Sequence, residues 1–142
     1  MTLTRAEQSY LAAQSLGRLA TIAPDGSPQN KPVGFSWNPG LGTIDIYGFN
    51  MERSQKFRNV AANPRVALVV DDAPGTGAAG MRFLEIRGLA ETARGQAPPE
   101  GGISPQIIRI RPGRVISWNI DPAHPGLQAS DISAHSERPD VA

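Results

Sequence analysis

Apolar and polar residues alternate with a period of two over most of this chain, and helical spacing interrupts that alternation in two short stretches. Residues 16–23, 28–37, 43–49, 65–71, 82–92, 103–111 and 114–119 read as strands bounded by clusters of Gly, Pro, Asn and Asp. On the second of these, Val33, Phe35 and Trp37 share one face while Asn30, Pro32, Gly34 and Ser36 share the other. One side therefore builds core and the other is small and flat. Pro24-Asp25-Gly26-Ser27 predicts the turn of a hairpin, Asn38-Pro39-Gly40 leads into the third strand, and Pro112-Gly113 predicts a tight turn between the last two. Thr4 with Glu7 forms a capping-box pattern ahead of a short amphipathic helix carrying Tyr10, Leu11 and Leu16 on its apolar stripe.

Six or seven antiparallel strands with few helices predict a mainly β protein closed into a small barrel, because closure gives each strand an inside and an outside. Parallel α/β architectures do not fit this pattern. The expected organisation is one barrel domain over residues 1–120. Residues 121–142, rich in Pro, Ser, Asp and Ala, form an extended or partly disordered tail.

Candidate chemistry concentrates where the second helical stretch meets a strand, in Arg53-Ser54-Gln55-Lys56-Phe57-Arg58-Asn59-Val60-Ala61-Ala62-Asn63-Pro64-Arg65-Val66-Ala67-Leu68. Ser54 can cap a helix over 54–62, which leaves first-turn amides and the positive end of the helix dipole facing outward. A phosphate suits such a position. Lys56 lies in the first turn, where a cation is unfavourable unless an anion is near, and Arg53 and Arg58 add positive charge. The plainer alternative is a solvated basic helix face.

Composition narrows the remaining classes. The 142 residues carry a formal net charge of +1 with 19% charged residues, so no global field favours nucleic acid or a membrane surface. No apolar run is long enough to span a bilayer and Met1-Thr2-Leu3-Thr4-Arg5 lacks the apolar core of a secretion signal, so the expected location is the cytoplasm. The absence of cysteine excludes disulfides, thiolate metal sites and thiol nucleophiles. His124 and His135 lack metal-ligand spacing, and no metal site is expected. No serine sits in the context of a hydrolytic triad, and Asp71-Asp72 point to opposite faces of a strand. Gly75-Thr76-Gly77-Ala78-Ala79-Gly80 matches a dinucleotide-binding spacing, but the alternating Met81-Arg82-Phe83-Leu84-Glu85-Ile86-Arg87 that follows opens no helix, so it reads as a loop. Arg109, Arg111 and Arg114 with Trp118 are better explained by packing or an interface than by nucleic-acid stacking.

Four segments together carry a family resemblance: the hairpin Leu19-Ala20-Thr21-Ile22-Ala23-Pro24-Asp25-Gly26-Ser27-Pro28-Gln29, the stretch from Arg53 to Leu68, Glu85-Ile86-Arg87-Gly88-Leu89-Ala90-Glu91, and Ile108-Arg109-Ile110-Arg111-Pro112-Gly113-Arg114-Val115-Ile116-Ser117-Trp118. With these, the chain resembles the pyridoxamine 5′-phosphate oxidase-like split β-barrel superfamily, and within it the small deazaflavin (coenzyme F420)-dependent reductases typical of actinobacteria. The resemblance implies a homodimer with two cofactors in grooves between the subunits. It places phosphate at Arg53, Ser54, Lys56 and Arg58, the ring along Gln29, Asn30, Lys31, Pro32 and Val33, and contacts from the partner subunit at Trp118 and Asn119. It further implies hydride transfer from reduced deazaflavin to an electron-poor double bond of a small acceptor such as an enone, quinone, imine or tetrapyrrole, with Lys31 as a candidate stabiliser of the developing anion. Such a reaction needs no acid–base constellation from the protein. The chain lacks the C-terminal extension of true pyridoxamine phosphate oxidases, which argues against pyridoxal phosphate synthesis. An FMN-binding oxidoreductase of the same fold and a non-catalytic flavin or haem carrier remain as alternatives.

Overall fold

The computed structural model describes residues 2–95 and 101–132. Within them lie two helices, α1 (Arg5–Ala13) and α2 (Gln55–Ala62). The strands are β1 (Leu16–Ile22), β2 (Pro28–Asn38), β3 (Thr43–Tyr47), β4 (Arg65–Asp72), β5 (Arg82–Arg94), β6 (Gln106–Trp118) and β7 (Leu127–Asp131). All pair antiparallel in the order β3-β2-β1-β4-β5-β6-β7, and a second pairing of β3 with β6 closes the first six into a barrel. Closure satisfies the hydrogen-bonding edges that an open sheet would expose. The mainly β split barrel expected from the alternation is the observed fold.

The period-two pattern fills the barrel. Leu19, Val33, Phe35, Ile44, Ile46, Leu68, Val70, Leu84, Ile86, Ile108, Ile110 and Val115 are all buried in one cluster, together with Tyr10 and Leu11 of α1. The first helix begins as its sequence predicts: the Thr4 side chain accepts from the Glu7 amide while Glu7 accepts from the Thr4 amide. At the closing seam Asp45 of β3 faces Arg109 of β6 in register. The guanidinium donates to both carboxylate oxygens at 3.0 and 3.2 Å, and Thr43 and Asn38 donate to them at 3.0 Å each. This buried pair thus has its carboxylate lone pairs occupied, the condition under which an interior ion pair is tolerated.

The tight turn predicted at Pro112-Gly113 is not formed. Strand β6 runs through it from Gln106 to Trp118, and the two residues make a bulge in which Gly88 pairs with Pro112, Arg87 with Arg114, and Gly113 is left over. Proline cannot donate to the ladder, so a bulge accommodates it where regular pairing would not. A Cβ at Gly88 would run into the Arg111 carbonyl, which explains the glycine opposite the bulge. The bulge lies where β6 exchanges partners. Ile108–Ile110 pair with β3, whereas 114–118 pair with β7. Other boundaries move by a few residues: β3 stops at Tyr47 and Phe49 only bridges to Ile103, while β5 continues to Arg94. Beyond Asn119 the chain returns as β7, and residues 133–142, including His135, lie outside the described residues.

Candidate functional site

Helix α2, the second half of β1 and the start of β2 enclose a cleft of about 470 Å³ lined by Leu19, Thr21, Gln29, Lys31, Pro32, Ser54, Gln55 and Lys56. The helix starts there because Ser54, in extended conformation, accepts from the Phe57 amide at 3.3 Å and donates to the Met51 carbonyl at 2.7 Å. The amides of Gln55 and Lys56 open the helix, and among the described residues neither donates a hydrogen bond. Lys31 from β2 and Lys56 from α2 face one another closely enough to interact. Burial first, and then the charge of Lys31, hold the Lys56 ammonium below the ordinary lysine value of 10.5. Among the described residues, no carboxylate lines this cleft. A wall of ammonium and amide donors beside apolar Pro32 fits an anionic group attached to a flat apolar body.

Behind the cleft a buried amide organises the wall. Asn59 of α2, 1% exposed, donates through Nδ2 to Thr21 Oγ1 and to Gln29 Oε1 at 3.0 Å each, and its Oδ1 accepts from Gln55 Nε2 at 2.8 Å. Asn59 therefore ties α2 to both strands beneath it.

Five of the residues expected from the sequence meet in this cleft: Gln29, Lys31, Pro32, Ser54 and Lys56. The others do not line it. Val33 is in the barrel core. Asn30, with Gly34 and Ser36, belongs to the flat outer side of β2, whereas Gln29 and Lys31 continue the inward-facing row that ends in Val33 and Phe35. Arg53 is exposed on the 3-10 turn Met51–Arg53, and Arg58 folds back along the helix to donate to the Arg53 carbonyl at 2.7 Å and to Gln55 Oε1 at 2.6 Å. Trp118 and Asn119 lie at the end of β6, where they donate to the carbonyls of Ala78 and Met81. Thr21, Gln55 and Asn59 were not among the sequence candidates. The available signal was an asparagine on the inward side of an amphipathic helix, four residues after a glutamine, a spacing that brings the two side chains together.

A second concavity, about 500 Å³, lies on the outer side of β1, β4, β5 and β6, with Ala20, Ile22, Pro28, Ala67 and Leu89 in its lining together with Arg65, Arg87 and Arg114. Leu89 is 57% exposed there. Elsewhere, His124 pairs with Asp121 at 3.2 Å, and residues 75–80 form a loop whose end is the 3-10 turn Ala78–Gly80, ahead of a strand. None of the described helices is long and apolar enough to cross a membrane.

Residues 3–119 match the family model described as pyridoxamine 5′-phosphate oxidase. A 5a,11a-dehydrotetracycline/5a,11a-dehydrooxytetracycline reductase of Streptomyces rimosus is 44% identical over 141 residues, covering 94% of this chain and 96% of that protein. Among solved structures, an F420 reductase is similar with a TM-score of 0.59 at 28% identity, over 76% of this chain and 94% of its own. A conserved hypothetical protein of Mycobacterium tuberculosis shares the fold with a TM-score of 0.66 at 20% identity, over 96% of both chains. By the extent of the family match and the identity to the Streptomyces reductase, the chain belongs to the pyridoxamine 5′-phosphate oxidase family of split barrels.

Proposed function

We propose that this chain is an oxidoreductase that uses reduced deazaflavin, coenzyme F420, to reduce an electron-poor double bond of a small organic acceptor. The observation that carries this reading is the cleft at the start of α2, free of carboxylates among the described residues, where Lys31 and Lys56 converge beside Ser54 and the unbonded helix amides. The 44% identity to a dehydrotetracycline reductase supports reductase chemistry and favours an enone in a fused polycyclic ring as the acceptor. The F420 reductase among the similar structures supports the choice of cofactor.

When bound, the reduced deazaflavin supplies the hydride. The protein binds, orients and excludes water. Lys56 and the amides of Gln55 and Lys56 would hold the phosphate, and Pro32 would offer apolar contact to the ring system. Lys31, at the edge between these two regions, stabilises negative charge that develops on the acceptor as hydride arrives. Solvent provides the proton that completes reduction of the double bond. The concavity around the exposed Leu89 is covered by a second copy of the chain, which gives the homodimer that the family resemblance implies. Trp118 and Asn119 then act on the partner's ligand, since within one subunit they do not line the cleft.

Fluorescence titration of cofactor-free protein with the deazaflavin coenzyme, and in parallel with FMN, tests the cofactor. Tighter deazaflavin binding, followed by acceptor-dependent oxidation of its reduced form with cyclic enones, supports the proposal. Preference for FMN moves the chain to the flavoprotein reading, and tight binding without turnover on any acceptor makes it a carrier.

A further inference from the structure

We propose that Arg58, Gln55 and Asn59 set the hydrogen-bonding polarity of the cleft, as a one-way chain of contacts that turns the NH2 end of Gln29 toward the ligand. Asn59 is on this reading a positioning residue, and Gln29 is the donor it presents. The inference rests on the cleft being the ligand site, and it adds the group through which the protein reads a hydrogen-bond acceptor oxygen of that ligand.

The sense of the chain follows from its outer end. A guanidinium has donors and no acceptor, so the partner of Arg58 Nη2 must be the oxygen of the Gln55 amide, at 2.6 Å. Arg58 is itself held by its second contact, from Nη1 to the Arg53 carbonyl at 2.7 Å. With its oxygen taken, Gln55 offers Nε2 to Asn59, whose Oδ1 accepts at 2.8 Å. Asn59 is then left with its NH2, and its two protons go to Thr21 Oγ1 and Gln29 Oε1 at 3.0 Å. Gln29 Oε1 is thereby engaged, and among the described residues Nε2 has no partner. Reversing any one amide would set donor against donor or acceptor against acceptor. Asn59 is buried too deeply for water to relieve such a mismatch.

The consequence is a wall composed of donors. Gln29 Nε2 joins Lys31, Lys56 and the two first helix amides, so the cleft selects a ligand with several acceptor oxygens, one of them placed against β2. Arg58 takes part without touching the ligand. This gives its position in the helix a role distinct from the phosphate contact expected from sequence.

The test uses Asn59→Asp and Gln29→Leu, singly and together. A carboxylate at residue 59 only accepts, so Gln29 must turn its NH2 inward and face the ligand with oxygen. We expect Asn59→Asp to raise the Kd for the deazaflavin coenzyme, or for FMN if that is the ligand bound, by about tenfold or more. In the Gln29→Leu background the same change should move Kd by less than about threefold. An equal loss in both backgrounds means that the new charge acts through space and overturns the proposal. Nuclear magnetic resonance on the ligand-free natural sequence decides the orientation without any cofactor or variant. Through-hydrogen-bond coupling from Asn59 Nδ2 to the Gln29 side-chain carbonyl supports the assigned sense; coupling from Gln29 Nε2 to the Asn59 carbonyl overturns it. Failure of both cofactors to bind would remove the proposed function and leave this second test to decide the polarity.

Discussion

Replacing Lys56 by glutamine should weaken anion binding and, at the same time, stabilise the protein without ligand. Lys56 is half-buried beside Lys31, and both burial and that neighbour disfavour its charged form. A folded lysine whose proton affinity is depressed opposes folding at pH values below its lowered pKa, and the penalty fades as pH rises toward the ordinary value of 10.5. Glutamine removes the penalty, so the thermal midpoint of the ligand-free variant at neutral pH should rise. With ligand the sign reverses. A hydrogen bond from a charged group contributes roughly 1.5–3 kcal/mol, and at about 1.4 kcal/mol per decade its loss raises Kd about ten- to 150-fold.

The anion also restores the proton affinity of Lys56. Affinity should therefore hold at neutral pH and fall as pH rises through the depressed lysine pKa, while the glutamine variant loses the part of this dependence due to residue 56. Fluorescence titration with deazaflavin and with FMN across pH, together with differential scanning calorimetry of the ligand-free proteins, reads all three effects. An unchanged Kd for whichever cofactor binds, or a lower thermal midpoint in Lys56→Gln, would refute the assignment of an uncompensated anion-binding lysine.

Three further outcomes follow from the fold. Asp45→Asn leaves Arg109 charged and mostly buried at the barrel seam, and should cost about 3–5 kcal/mol, seen as a thermal midpoint lower by roughly 10–20 °C; a loss below 1 kcal/mol would mean the seam does not depend on this pair. The hydrogen bonds from Arg82 are the main reason that Asp72 titrates below the usual 3.8, so its contribution to stability is present above that value and is lost as pH falls through the lowered pKa. Arg82→Gln should therefore move acid unfolding to higher pH, which circular dichroism against pH will detect. Leu89→Asp replaces an exposed apolar side chain of the concavity on the barrel's outer side by a charge; on the proposed dimer, light scattering should give a dimer mass for the natural sequence and a monomer mass for the variant.

The parts of the molecule that were readable from the chain are those in which a single local rule decides. Thr4 with Glu7, Ser54 ahead of Gln55, and the alternation around Leu19, Phe35 and Leu68 each state their own geometry, and each forms as written. The Pro112-Gly113 pair misled because the turn rule and the bulge rule use the same residues. What separates them is the partner strand, where Gly88 leaves room for the Arg111 carbonyl, and that pairing is 23 or more residues away along the chain. The candidate site divides in the same way. Lys31, Ser54 and Lys56 are visible as charges and a cap, whereas Asn59 acquires its meaning only when β1 and β2 pass beneath α2 and bring Thr21 and Gln29 to its amide. A buried polar side chain is expensive unless every bond it can make is met, so its presence on the inward face of a helix is itself a constraint on what must lie opposite. Read in that direction, Asn59 demands both an acceptor and a donor from the surrounding elements. The cleft's donor-rich wall is the outer consequence of satisfying it.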